Sequence, residues 1–290
     1  MARAAMKKVV VTGGSGRLGQ MVLKDLLAHK YEVLSLDRIA PAEKLFPSRL
    51  ADLCSSGDLY EALKDAYGVV HLGAYQAPNL TSDSETFSNN VAATYNVLKA
   101  AADLGVRKVV IASSTAAFGF IYALKPFLPD YLPLEEMHPS KPQDPYGLSK
   151  VVGEQIADAT ARLHPRMTIS SLRFPGIIFD FSYEIVRRRW KDPKGRANGH
   201  WAYVDGRDAA RACRLALEAK FTGHEVIVVA APRSSMTQPT AELISKYLGK
   251  QIPTKSGLSG NWSGVDSAKA RKLLGFRAQH AWENYLKDEK

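Results

Sequence analysis

The chain has 290 residues and 46% hydrophobic content, which is enough to bury the core of one large domain, with or without a small lobe. Its two cysteines, Cys54 and Cys213, are too few for a disulfide framework and indicate a reducing compartment. No apolar run approaches the roughly 18–20 residues of a membrane span, and none of signal-peptide type precedes the first predicted strand, so we expect a cytoplasmic protein without membrane contact. The formal net charge of +10 indicates a solvated basic surface rather than a nucleic-acid site. Basic and aromatic side chains cluster only at residues 187–191. An anionic cofactor and an anionic substrate explain local positive charge more simply.

The first forty residues predict one strand–helix–strand unit. Residues 9–11 are three valines, typical of a strand buried on both faces. The turn Thr-Gly-Gly-Ser-Gly-Arg-Leu-Gly follows at residues 12–19, and apolar residues then recur at helical spacing. A second strand over residues 33–36 ends on Asp37. A strand, a glycine turn, a helix and a strand that ends on an acid are the arrangement that binds a dinucleotide.

The glycines of this turn permit two spacings. Gly14, Gly16 and Gly19 fit G-x-G-x-x-G, whereas Gly13, Gly16 and Gly19 fit G-x-x-G-x-x-G. Glycine is required in either case, because the backbone must turn sharply and approach a pyrophosphate without side chains in the way.

The groups beside the turn predict which dinucleotide binds. The helix that opens at Arg17 and Leu18 offers free N–H groups and a partial positive charge to the phosphates. Asp37 stands where a carboxylate accepts hydrogen bonds from the ribose hydroxyls and repels a 2′-phosphate, which favours NAD. Arg17 and Arg38 could each pair with that phosphate, so NADP stays open as the alternative.

The rest of the chain keeps alternating strands and helices. Further strands are predicted at residues 50–53, 69–73, 108–112 and 168–172. Helices are predicted at residues 56–67, at residues 84–104 with Phe87, Val91, Leu98 and Ala102 facing inward, and from Tyr146. This alternation predicts an α/β fold with a Rossmann-type doubly wound parallel sheet, whose ligands lie beyond the carboxyl ends of the strands.

Three polar residues after the fifth strand predict acid–base chemistry. Tyr146 and Lys150 lie one helical turn apart. A tyrosine hydroxyl with its ordinary pKa near 10 is a poor base, but a lysine ammonium and an oxidised nicotinamide nearby stabilise the phenolate and lower that pKa. Ser114 could hold the substrate oxygen while the tyrosine moves its proton. A surface pair on an amphipathic helix is the alternative reading of Tyr146 and Lys150, and their position after the fifth strand favours the catalytic one.

Together these motifs resemble the extended short-chain dehydrogenases/reductases, the NAD-dependent epimerase/dehydratase family that includes UDP-galactose 4-epimerase and, closest in layout, the uronate dehydrogenases. Residues 90–98 are similar to that family's N-V-x-G-T-x-x-L-L helix, with Ala93 where glycine is usual. Residues 113–119 resemble its S-S-x-x-x-Y-G segment, which assigns the catalytic hydroxyl to Ser114 rather than to Thr115.

The resemblance implies further contacts. The residues expected around the cofactor, besides those of the glycine turn, are Asp52 and Leu53 at the adenine, Leu72, Gly73, Ala74, Asn90 and Phe174, and the side chains of Tyr146 and Lys150. Residues 203–210 look like the family's return to the sheet, where an acidic residue caps a helix. The resemblance also implies a homodimer through the helices that start near Ser84 and Tyr146, with an apolar patch from Ala92, Leu98, Val152, Ile156 and Ala159.

Departures from the family pattern predict a small substrate. Gly176 stands where sugar-nucleotide epimerases carry an asparagine, and the segment from Pro175 to Trp201 is too short to wrap a nucleoside diphosphate well. Uronate dehydrogenases share that brevity, an arginine at the position of Arg173, and a tail similar to residues 267–276.

We therefore expect the substrate to be a sugar or sugar acid bound between the strand ends and the lobe. The residues expected to contact it are Gln76, Ser114, Thr115 and Tyr146 by hydrogen bonds, Arg173 as a bidentate partner for a carboxylate, and Trp201 against an apolar sugar face. A structural salt bridge for Arg173 and a packing role for Trp201 are the alternatives. Residues 187–189, three arginines, could instead hold a diphosphate.

The sequence thus predicts an NAD(P)-dependent oxidoreductase that acts on a small sugar or sugar-acid-like substrate through a Ser-Tyr-Lys site. The alternative is a (nucleotide-)sugar epimerase or dehydratase that recycles its NAD internally; the Ser-Tyr-Lys residues disfavour a non-catalytic dinucleotide sensor. The expected NAD(P)-binding domain covers residues 1–174, with 201–231 returning to it, and the small C-terminal substrate lobe covers residues 175–200 and 232–290. No metal is expected.

Overall fold

Nine strands organise the computed structural model, which describes residues 6–43, 45–249 and 251–286. They are β1 (Lys8–Thr12), β2 (Glu32–Asp37), β3 (Ser48–Leu50), β4 (Gly68–His71), β5 (Lys108–Ser114), β6 (Thr168–Phe174), β7 (Gly176–Ile178), β8 (Tyr203–Asp205) and β9 (Gly223–Val228). Seven of them form one sheet in the order β3-β2-β1-β4-β5-β6-β9, with every neighbouring pair parallel, and β7 pairs with β8 in a separate two-stranded sheet. The predicted Rossmann-type sheet is therefore confirmed.

Helices cover both faces of this sheet. They are α1 (Arg17–Ala28), α2 (Ser56–Leu63), α3 (Asp83–Asp103), α4 (Pro145–Leu163), α5 (Glu184–Arg189), α6 (Gly206–Glu218), α7 (Thr240–Tyr247) and α8 (Ala268–Leu274). One core lies between the sheet and helices α1, α6 and α8, and a second core lies between the sheet and helices α2, α3 and α4. Each fully buried valine or leucine in these cores contributes about 1.5–3 kcal/mol relative to an exposed one.

Two strands extend further than predicted, and this extension matters for the site. Pairing between β5 and β6 continues to Ser114 opposite Phe174, so both residues lie in the sheet rather than after it. The third strand lies earlier than predicted, and residues 51–53 follow it as a loop beside the cofactor region. Asp205 caps α6, as expected, by accepting a hydrogen bond from the Arg207 N–H at 2.8 Å.

The buried face of α3 differs from the prediction. Leu98 is buried, but Phe87, Val91 and Ala102 are only half-buried. The face turned to the protein carries small and polar residues instead, namely Thr86, Asn90, Ala93, Thr94, Val97, Ala100 and Ala101. Small residues let α3 pack closely against α4, and hydrophobicity alone could not identify that face.

A smaller core lies beyond the carboxyl ends of the strands. It contains Trp201, Met236, Trp262 and Val265. Leu132 and Leu134, from the long segment between β5 and α4, also belong to it. The Leu134 N–H donates to the Gly264 carbonyl at 2.9 Å. This segment therefore packs with the predicted lobe although it precedes residue 174. The two-part division of the chain stays a prediction, and its ends at residues 1–5 and 287–290 lie outside the described residues.

Candidate active site

The turn between β1 and α1 can lie close to a phosphate because glycine backbone fills it. Gly13 has a φ of +69°, and a Cβ there would lie 2.7 Å from the Gly73 nitrogen at the end of β4. The Gly16 N–H donates to the Gly13 carbonyl at 3.1 Å, and Gly16 caps α1 without a side-chain hydrogen bond, which leaves N–H groups at the start of the helix for a ligand. The positive φ at Gly13 matches the Gly13-x-x-Gly16-x-x-Gly19 spacing.

Asp37 ends β2 directly beside this turn. Its carboxylate accepts the Ser15 N–H at 3.0 Å and the Ile39 N–H at 3.2 Å, which fixes its orientation. The two arginines that left NADP open are held against rings: Arg17 lies 4.6 Å from the Phe179 ring centroid, and Arg38 lies 4.6 Å from that of Tyr75. Within the described part of the chain neither arginine forms an ion pair with Asp37.

A single cavity of about 910 Å³ runs from this turn across the strand ends. It is lined by nearly all the residues predicted for the cofactor: Gly13, Gly16, Arg17, Leu18, Gly19, Asp37, Arg38, Asp52, Leu53, Leu72, Gly73, Ala74, Tyr146, Lys150 and Phe174. The glycine cradle and the fixed carboxylate suit a dinucleotide with free ribose hydroxyls.

Asn90, predicted to hydrogen-bond near the cofactor, lies next to the loop that follows β4. Asn90 is buried and does not line the cavity. Its amide donates to the Tyr75 carbonyl at 3.0 Å and to the Ser149 hydroxyl at 3.2 Å, and it accepts the Tyr75 N–H at 2.8 Å. Asn90 therefore holds the loop after β4, whose Ala74 and Gln76 line the cavity.

The three predicted catalytic residues meet in the middle of the cavity. Asp144 caps α4 by accepting the Gly147 N–H at 2.8 Å, which starts the helix so that Tyr146 lies in its first turn. Lys150 follows one turn later, with Nζ 5.3 Å from the Tyr146 ring centroid and 2.8 Å from the Ala112 carbonyl, to which it donates. Ser114 ends β5, and its hydroxyl lies near the Tyr146 hydroxyl and accepts the Ala116 N–H at 3.1 Å.

Burial shifts the pKa values of Tyr146 and Lys150 in opposite directions. It raises the pKa of Tyr146 to about 12, although the hydrogen bond with Ser114 opposes the change. Burial also lowers the pKa of Lys150 to about 8, and the Glu154 carboxylate opposes that change. The predicted lowering of the Tyr146 pKa relies on the Lys150 ammonium together with an oxidised nicotinamide, which would add a second positive charge to the site.

The predicted substrate residues divide into two groups. Gln76, Ser114, Thr115, Tyr146 and Trp201 line the cavity. Trp201 is 1% exposed and its indole N–H donates to the Pro193 carbonyl at 2.8 Å, so it serves the core of the lobe and the cavity wall together.

Arg173 does not line the cavity, and its predicted role as a carboxylate ligand is wrong. Its guanidinium is buried in an ion pair with Glu154, at 2.8 Å from Nε to Oε1 and 2.6 Å from Nη2 to Oε2. The structural salt bridge was the correct alternative for this residue.

Two other arginines supply positive charge to the cavity. Arg189, at the end of α5, and Arg196, in the 3₁₀ helix Lys194–Gly199, line the end of the cavity that is formed by the lobe. Neither has an acidic partner among the described residues, and the Nε of Arg189 is buried without a hydrogen-bond partner. Burial and the charge of Arg196 lower the pKa of Arg189 to about 10. The sequence indicated Arg189 only as one of three arginines, and no signal indicated Arg196.

Two further side chains near the cavity, His71 and Tyr122, were not indicated by any sequence motif. His71 ends β4 between the Thr12 hydroxyl at 2.8 Å and the Thr94 hydroxyl at 3.2 Å, and burial lowers its pKa to about 3. Tyr122 lines the cavity with its ring edge-on to Tyr146, at 6.1 Å between centroids. Their positions depend on long-range packing that no local motif announces.

Two absences complete the description. Within residues 6–43, 45–249 and 251–286, no group of three or more His, Cys, Asp or Glu side chains could hold a metal ion. In the same part of the chain, no helix is both long and apolar enough to cross a membrane.

Comparison with known proteins relates the chain to one family. A model of the NAD dependent epimerase/dehydratase family matches residues 9–230. A Methanocaldococcus jannaschii protein that is provisionally named as a UDP-glucose 4-epimerase is 30% identical over 205 residues, which are 68% of this chain and 62% of that protein. The chain spans 45% of the length of two further curated relatives, the UDP-glucose 4-epimerases of Streptococcus mutans and Lacticaseibacillus casei.

Solved structures share the fold over nearly the whole chain. MoeE5 in complex with UDP-glucose and NAD superposes with a TM-score of 0.71 at 23% identity, covering 96% of this chain and 95% of that one. A mutated uronate dehydrogenase superposes with a TM-score of 0.69 at 21% identity, covering 97% of this chain and 84% of that one. Likeness at these identities establishes the fold.

Proposed function

The chain belongs to the NAD dependent epimerase/dehydratase family, whose cofactor is NAD, and on that premise we propose that it is an oxidoreductase that transfers hydride between NAD and a small anionic sugar. The observation that carries the proposal is the pair Arg189 and Arg196, two arginines without acidic partners at the end of the cavity beyond Ser114 and Tyr146. A carboxylate on the substrate would neutralise them and orient the sugar toward Tyr146.

The roles follow from the geometry of the trio. Tyr146 takes the proton from the substrate hydroxyl in the oxidative direction, and Ser114 holds the same oxygen by a hydrogen bond. Lys150 stabilises the Tyr146 phenolate from its place beside the ring. Bound NAD supplies the hydride acceptor and a positive nicotinamide ring. Gln76 and Thr115 offer neutral hydrogen bonds for sugar hydroxyls, which discriminate against analogues that lack those hydroxyls.

An epimerase or dehydratase that recycles NAD internally is the second candidate. It is favoured by the curated relatives, which are UDP-glucose 4-epimerases, although the chain spans only part of their length. Arg189 and Arg196 also have the charge to hold a diphosphate. Against this reading, the segment between Pro175 and Trp201 is short, and the buried Trp201 forms part of the cavity wall.

A competition experiment separates the two candidates. NAD-loaded protein is titrated with free uronic acids, with neutral sugars and with UDP, and binding is followed by calorimetry. The proposal predicts that uronic acids bind more tightly than the matched neutral sugars. If UDP alone binds at micromolar affinity and uronic acids do not bind at millimolar concentration, the epimerase reading replaces the proposal.

We also propose that the chain forms a homodimer through the outer faces of α3 and α4. Tyr95 and Leu148 are exposed there, and Ala92, Val152 and Ile156 are half-buried, which supports an apolar patch. Leu98 cannot contribute as predicted, because it is buried in the core of the subunit, whereas Ala159 is exposed. Light scattering that gives a monomer at micromolar concentration would contradict the dimer.

A further inference from the structure

Three residues of α4 meet three consecutive residues of β5. Tyr146, Lys150 and Glu154 follow one another at intervals of one helical turn, so they share a face of α4. The Tyr146 hydroxyl lies near that of Ser114, Lys150 donates to the Ala112 carbonyl at 2.8 Å, and the Ser113 hydroxyl donates to Glu154 Oε1 at 2.6 Å. Glu154 thus extends the row of residues that forms the reaction centre.

Glu154 is itself held by Arg173. Arg173 lies directly opposite Ser113 in the pairing of β5 with β6, and it grips both carboxylate oxygens of Glu154. The two side chains are 5% and 8% exposed. Arg173 also donates to the Ser140 hydroxyl at 3.1 Å and lies 4.6 Å from the Phe118 ring centroid. A bidentate, buried pair of this kind fixes a carboxylate in one position.

We propose that Glu154 is a positioning residue for the Lys150 ammonium, and that Arg173 acts through Glu154 rather than on the substrate. The inference rests on the proposed function only in taking Lys150 as the cation of the reaction centre. Its physical reason is that burial favours a neutral lysine, which could not stabilise the Tyr146 phenolate, whereas the carboxylate one turn away favours the ammonium.

The other groups around Lys150 do not supply this negative charge. On α4, Tyr146 is a neutral phenol at neutral pH, because burial raises its pKa to about 12. On β4, His71 is neutral, because burial lowers its pKa to about 3, and its neighbour on α3 is the uncharged Thr94. Arg173, on β6, is positive and faces Glu154. Glu154 is therefore the carboxylate whose charge favours the ammonium, in addition to the hydrogen bond that Lys150 donates to the Ala112 carbonyl.

The test measures the titration of Lys150 without any substrate. Protein with ¹³C-labelled lysine is titrated by NMR, the Lys150 resonance is assigned through Lys150→Arg, and the wild-type midpoint is expected near about 8. In the double variant Glu154→Gln/Arg173→Met, which removes both buried charges together, the midpoint should fall by about one pH unit, because the attraction from Glu154, one turn away on α4, outweighs the repulsion from Arg173 on β6. The single variant Glu154→Gln should fall further, because Arg173 then stays positive without a partner.

A matched control lies one turn further along the helix. Asp158 is 54% exposed and contacts His224 at 2.6 Å, so Asp158→Asn makes the same chemical change at a solvated place and should leave the midpoint unchanged. A double variant that folds and keeps the wild-type midpoint would overturn the proposal and leave Glu154 a merely structural role. The midpoint does not depend on turnover, so a failure to find any sugar substrate would not affect this result.

Discussion

Acidification should destabilise this protein through a histidine that lies beneath the cofactor turn. His71 is buried between the Thr12 and Thr94 hydroxyls, and burial lowers its pKa from 6.5 to about 3. Below pH 6.5 the His71 imidazole therefore stays neutral in the folded state, whereas it binds a proton in the unfolded state. Stability from this group is complete above pH 6.5 and is lost progressively as the pH falls toward 3. At pH 5, about 1.4 kcal/mol per pH unit gives a loss of about 2 kcal/mol from His71 alone.

Urea unfolding of the wild type and of His71→Gln at pH 7, 6 and 5 measures this contribution. The variant is expected to be less stable at pH 7, because its amide replaces the imidazole imperfectly. Its free energy of unfolding should nevertheless fall by about 2 kcal/mol less than that of the wild type between pH 7 and pH 5. His200, whose pKa burial also lowers to about 3, titrates in both proteins and cancels from the difference. Equal pH dependence in the two proteins would refute the reasoning.

Three further predictions concern the site itself. Gly13→Ala should weaken NAD binding by about tenfold or more in calorimetry, because strain at a positive φ costs about 1–3 kcal/mol and the new Cβ meets Gly73 backbone; unchanged affinity would mean that the turn does not cradle the cofactor. Tyr146→Phe should lower turnover by roughly 10²–10⁴-fold with little change in the dissociation constant of NAD, and retained activity would reassign the base. Arg189→Gln should raise KM for an anionic substrate and not for its neutral analogue. An equal effect on both would mean that Arg189 does not bind the negative charge of the substrate.

The fold and the juxtaposition of Tyr146 and Lys150 were predictable because their signals are local. The valine strand, the glycine turn and the terminal Asp37 lie within one short segment, and the geometry of the turn forces glycine at position 13. Tyr146 and Lys150 are one turn apart on the same helix, so spacing alone places them together.

The substrate end was less predictable because its contacts are distant in sequence. An arginine at a strand end has the same appearance whether it faces a ligand or a buried carboxylate, and only the folded chain brings Glu154 to Arg173. Asn90 likewise matched a family motif, yet packing directs its amide to the Tyr75 backbone. Arg196 lies in a short 3₁₀ helix without periodicity, so no pattern could assign it to the cavity.

The central claim is net hydride transfer between NAD and a small anionic sugar. The most direct measurement is the absorbance of reduced nicotinamide when the protein is incubated with NAD and, separately, with free uronic acids, neutral aldoses and UDP-sugars. We expect NADH to accumulate in step with oxidation of a free sugar acid, and Tyr146→Phe to slow this accumulation by roughly 10²–10⁴-fold. Epimerisation of a UDP-sugar by the unaltered protein, with no accumulation of NADH on any free sugar, would contradict it.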